Sequence, residues 1–78
     1  MKRYQIIMIL NRNARKRVCE QYCWKFINLD KCSIESGLPL KIVYENGIMF
    51  QHEKVLEIEP FDEYGLMVTT TKKEWYIR

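Results

Sequence analysis

The sequence predicts an α+β domain. One amphipathic helix packs on a twisted antiparallel sheet, in the order β-α-β-β-β-β-β. Three observations predict this. The hydrophobic spacing changes from period two to a helical period at Asn13. An Asn46-Gly47 pair stands between two β-prone runs. The later connections are all short, which implies antiparallel neighbours.

Residues 3–10 read as the first strand. Tyr4, Ile6, Met8 and Leu10 share one face and Ile7 and Ile9 the other, so both faces are apolar and the strand is inner. Asn11-Arg12-Asn13 breaks it, with Asn13 as the expected N-cap. Over 14–28, Val18, Cys19, Tyr22, Cys23, Phe26 and Ile27 form a helical stripe, opposite Lys16, Arg17, Glu20, Gln21 and Lys25. A short helical turn fits 28–33. Residues 40–45 and 48–51 read as a hairpin around a type I′ turn at Asn46-Gly47. Residues 54–59 form a strand ended by Pro60, and Phe61 to Gly65 turn the chain. Residues 66–71 and 74–78 complete the sheet. The last five strands can curl into a small, partly open barrel.

At 78 residues the chain is one domain, 1–78. With 47% hydrophobic and 29% charged residues, 3 Gly and 2 Pro, it is neither disordered nor collagen-like. The longest apolar run, Ile6 to Leu10, is far short of the ~20 residues of a membrane span. The basic start lacks a signal-peptide cleavage site. A soluble, cytoplasmic protein with no membrane partner is expected.

The net charge of +3 divides unevenly. Residues 1–25 hold seven cations against Glu20 alone, or +6; residues 26–78 hold six cations and nine anions, or −3. Such a split points to a polyanion partner, or to two halves that pair with each other. Within the basic part, Arg12, Arg15, Lys16 and Arg17 surround the predicted helix N-terminus. Cations there oppose the helix dipole at about 0.3–1 kcal/mol each. A local rule broken in this way marks a candidate functional site. Arginines beside helix N–H groups suit phosphate. Trp24, at the border of the same face, suits base stacking.

Familiar catalysis finds no support. Cys19, Cys23 and Cys32 are odd in number, and C-x3-C-x8-C with the lone His52 is not a zinc-finger spacing. Ideal two-residue hairpin pairing sets Glu45 opposite Ile48, and so Lys41 opposite His52, making His52 a surface residue without triad partners. Glu57, Glu59, Asp62 and Glu63 read as a solvated acidic face. The glycines lie too far apart for a phosphate loop. No metal, no cofactor and no enzymatic activity are expected.

The stretch Lys54 to Tyr76, with Val55-Leu56-Glu57-Ile58-Glu59 followed by Val68-Thr69-Thr70-Thr71, resembles small barrel-like regulatory domains, including the LytTR type of DNA-binding module. The resemblance covers under a third of the chain, through strand patterns, and no residue role is carried over from it.

Two functional expectations follow. The first is a non-enzymatic binding or regulatory module that contacts nucleic acid, or a nucleic-acid-handling protein, through Arg12, Arg15, Lys16, Arg17 and Trp24. The second is a protein-binding inhibitor or accessory module, of the kind a phage or mobile element encodes. It would use a sheet edge, exposed aromatics or the acidic turn: Asp62, Glu63, Tyr64, Trp75 and Tyr76. Trp75 and Tyr76 point to opposite faces of one strand, so one of them is expected at the surface.

Overall fold

In the computed structural model, which describes residues 2–78, 55% of the chain is strand and no helix reaches seven residues. The strands are β1 (Tyr4–Asn11), β2 (Phe26–Ile27), β3 (Pro39–Val43), β4 (Met49–Phe61), β5 (Gly65–Thr70) and β6 (Lys73–Ile77). They form one antiparallel sheet in the order β2-β1-β6-β5-β4-β3. A bridge between Ile27 and Tyr44 ties its two outer strands together. Asn28 N–H donates to Val43 O at 2.7 Å, and Glu45 N–H to Phe26 O at 3.0 Å. Chain neighbours are thus wall neighbours, and an even number of strands lets β1 meet β6 antiparallel. The result is nearly a closed barrel, which removes most exposed strand edges.

The expected α+β class is therefore corrected to all-β, because the helix over 14–28 is absent. Residues 16–27 instead run back along β1. Asn11 N–H donates to Lys16 O at 2.8 Å, Val18 N–H to Ile9 O at 2.9 Å and Trp24 N–H to Ile6 O at 2.8 Å. A helix would leave these groups of β1 unpaired, and an unsatisfied buried backbone group costs about 1–3 kcal/mol. Helix propensity offers little against this, since Val18, Cys19, Tyr22, Cys23, Trp24 and Phe26 all belong to the weaker helix formers. Left-handed Cys19 and Trp24 (φ 55 and 66) bend the return, and one 3-10 turn, Glu20–Tyr22, lies between them. The sidedness of the segment survives the change. Cys23 and Ile27 are buried, Cys19, Tyr22 and Phe26 half-buried, and Gln21 and Lys25 exposed. Asn13 caps nothing; Asn11 Oδ1 accepts from Asn13 and Ala14 N–H, both at 3.0 Å, and left-handed Arg15 ends the turn. A second 3-10 turn, Leu29–Lys31, occupies the expected position.

The Asn-Gly hairpin forms with a different turn. Only Gly47 has positive φ (91°); Asn46 does not. Gly47 N–H donates to Tyr44 O at 3.0 Å and Tyr44 N–H to Ile48 O at 2.8 Å, so Gly47 is a bulge residue after an ordinary turn. The register moves by one: Val43 faces Met49 and Lys41 faces Gln51, not His52. A one-residue slip exchanges the faces of a strand. The two strands expected at 48–51 and 54–59 are one strand, β4, and Pro60 lies inside it, opposite Leu66.

The barrel interior holds Ile6, Ile9, Ile27, Leu40, Ile42, Val55, Val68, Trp75 and Ile77, all at most 2% exposed. Gly65 is required by close approach: a Cβ there would lie 2.7 Å from Ile77 O and 2.8 Å from Phe61 O. No helix among the described residues is long and apolar enough to cross a membrane.

Candidate functional site

One end of the barrel carries the basic cluster. Residues 12–15 are the tip between β1 and its return strand, not a helix N-terminus. Pairing of β1 with β6 brings a second tip alongside: Arg12 N–H donates to Lys72 O at 2.9 Å. Thr71 N–H donates to Lys54 O at 3.1 Å, which adds the middle of β4. Arg12, Lys16, Arg17, Lys54 and Lys72 are all exposed, and none has a salt-bridge partner among the described residues. Arg15 differs. Its Nη1 lies 2.8 and 3.1 Å from the two carboxylate oxygens of Glu74. The acidic half thus neutralises one member of the cluster and leaves the rest open. Reading charge along the chain missed Lys54 and Lys72; the signal for them was the short turn after the threonine run, next to a β1–β6 pairing.

Trp24 does not join this end. It is 64% exposed and bonds across to Ile6, while its carbonyl accepts from Gln5 Nε2 at 3.0 Å. From Ile6 to Asn11 is about 17 Å of strand at ~3.4 Å per residue.

The second group of candidate residues is also divided. Trp75 is 0% and Tyr76 9% exposed, so neither is the expected surface aromatic. Tyr76 points outward but is covered, with Phe61 edge-on to it at a centroid distance of 5.0 Å. Asp62 is structural: left-handed, its Oδ1 accepts from Tyr64 and Gly65 N–H, and its Oδ2 lies 3.2 Å from Arg78 Nε. Glu63 is exposed, and Tyr64 is exposed with Lys2 Nζ 4.8 Å from its ring centre.

His52 is the residue the sequence reading misplaced. The slipped register turns it inward, where it is half-buried with Trp75 at 4.6 Å, Tyr22 at 5.2 Å and Phe50 at 6.3 Å between ring centroids. Burial pushes its pKa below the usual value, with Lys73 adding to that and Glu53 opposing it. Beside it, Glu53 accepts from Thr70 Oγ1 at 2.8 Å and Lys73 Nζ at 3.0 Å. Burial raises the Glu53 carboxyl, but these bonds, a backbone bond and the Lys73 charge together hold it low. Trp75 Nε1 is buried with no partner.

The three cysteines are free thiols. Burial raises the pKa of Cys23 and Cys32, and Cys32 Sγ accepts from Val43 N–H at 3.3 Å. Among the described residues no three His, Cys, Asp or Glu side chains are grouped to share an ion.

No protein-family model, curated protein or solved structure matches the chain. The geometry of its own residues carries the functional reading.

Proposed function

We propose that the protein is a non-enzymatic module that contacts nucleic acid through the basic end of its barrel. The observation that carries this reading is the Arg12–Lys72 backbone bond. It sets two hairpin tips side by side; Arg12, Lys16, Arg17 and Lys72, on these tips and the return beside them, are exposed, and none has a salt-bridge partner among the described residues. Unpaired cations in a cluster attract a polyanion by releasing its counterions. Lysine and arginine side chains of this kind meet backbone phosphates rather than base edges, so contact is expected to depend weakly on sequence. Arg15, held by Glu74, shapes the tip and adds little charge.

Fluorescence anisotropy of labelled oligonucleotides tests this. Lys16→Ala and Lys72→Ala are each expected to weaken binding while a Glu63→Ala control does not. Equal affinity in all three variants overturns the reading.

A further inference from the structure

Part of β4 has an unpaired side. The first part of β4, Met49–Lys54, pairs with β3, and the rest pairs with β5 on the opposite side. Away from β5, Val55 and Leu56 are still covered: Gly37 N–H donates to Val55 O, Val55 N–H to Leu38 O and Ser36 Oγ to Leu56 O, each at 2.8 Å. From Glu57 to Phe61 no described residue pairs with that side. Exposure agrees. Residues 56–60 are all exposed, and Ile58 is 38% exposed although its cross-strand partner Val68, on the same inner face, is 0%. Beneath this edge lies a crevice of about 390 Å³ lined by Leu29, Ile34, Glu35, Ile58 and Leu66.

We propose that the free edge of β4, Glu57–Phe61, takes up an extended peptide of another protein in which apolar and basic residues alternate. An unpaired edge is a template for an added strand, and main-chain bonds supply the affinity. Pro60 agrees with an unpaired side, because proline within a sheet is confined to such strands; it removes one donor, so an added strand is held by the remaining main-chain groups of the edge. Alternation sends one set of peptide side chains toward the crevice and the other toward the outer face. On that outer face stand Glu57 and Glu59, both exposed and with no cation in salt-bridge range among the described residues. The neighbouring Glu57 carboxyl raises Glu59 above its ordinary value, as one acid does beside another. The charge selects the occupant. A second copy adding antiparallel would set Glu57 and Glu59 against their own kind, which is unfavourable. The inference does not rest on the basic end, whose charge has the opposite sign.

The full chain, labelled with nitrogen-15, is titrated with a capped six-residue peptide alternating lysine and valine. Amide shifts are expected at 56–59, at Phe61, and at Ile34 and Leu66. Two N-methylated forms of the peptide, blocked at alternate amides in the two possible phases, separate strand addition from charge alone. The phase facing β4 is expected to lose at least tenfold in affinity and the other to bind as before. The Glu57→Gln, Glu59→Gln double variant is expected to bind at least tenfold more weakly. The proposal is overturned by no shift at about millimolar peptide, by shifts confined to the basic end, by equal binding of both methylated phases, or by equal binding of a glutamate–valine peptide. Concentration-dependent dimerisation through this edge without peptide overturns it too.

Discussion

Arg15 and Glu74, far apart in the chain, meet at 2.8 Å, where β1 pairs with β6. The pair divides the basic cluster into one structural cation and several free ones. Arg15 is 60% exposed, so solvent screens the interaction and its worth is at most about 1 kcal/mol. Arg15→Ala is expected to lower stability slightly, and Lys16→Ala to leave it unchanged while weakening nucleic-acid binding. Urea denaturation of the two variants checks this; a larger stability loss for Lys16→Ala contradicts it.

Acid sensitivity follows from the His52 cluster. Burial, helped by Lys73 and opposed by Glu53, holds the folded pKa of His52 below 6.5. As pH falls through 6.5 the unfolded chain takes up a proton that the folded chain resists, so stability declines from about pH 7 downward. Glu53 works in a lower window. Its folded pKa is below 4.5, so its stabilisation is present above that value and lost as pH falls through the folded pKa. His52→Gln is expected to flatten the upper decline and keep the lower one. Denaturation midpoints across about pH 2–8 report both. An unchanged slope between about pH 7 and 5 in the variant refutes the assignment.

His52 also shows where the sequence was legible and where it stopped. The hairpin was readable from Asn46-Gly47, but not its turn type, because Asn46 tolerates either sign of φ. One residue of slip then reversed the face of His52. Residues 14–28 show the same limit. Cys23 and Ile27 were readable as inward and Lys25 as outward, since a bulged strand return and an amphipathic helix can bury similar residues. The choice between them lay in long-range bonds to Ile6, Ile9 and Asn11, which no local pattern encodes. Lys72 became part of the basic end through the pairing of β1 with β6. The free edge of β4 had only Pro60 as its sign.

Gly65 tests the packing of the β5–β6 corner. Gly65→Ala drives a methyl into two backbone oxygens at 2.7 and 2.8 Å, and an overpacked site costs about 1–3 kcal/mol. Gly37→Ala meets nothing within 4 Å but must hold φ at +90°, a backbone cost alone. Both are expected to destabilise the protein, and only Gly65→Ala to disturb amide shifts of Phe61 and Ile77. Unperturbed shifts at those two residues contradict the close-packing account.

The barrel core predicts a large single-site loss. Trp75 is fully buried and lies against Ile9 and Val68 in the cross-strand register. Trp75→Ala removes the largest core side chain and is expected to cost about 3–5 kcal/mol. Trp75→Phe also removes the unpartnered indole N–H, and is expected to cost much less. Thermal melts rank the two; equal losses contradict the role of the side-chain volume.

Nucleic-acid contact at the basic end of the barrel carries a definite salt dependence. Four phosphate contacts, from Arg12, Lys16, Arg17 and Lys72, give a slope of log K against log salt near −3.6 on duplex DNA and about −2.8 on single strands. The triple variant Arg12→Ala, Lys16→Ala, Arg17→Ala is expected to reduce the duplex slope to about −0.9, and Arg15→Ala to leave it near the wild-type value. A wild-type protein that does not bind, or a triple variant with the wild-type slope, contradicts the assignment of nucleic-acid contact to the basic end of the barrel.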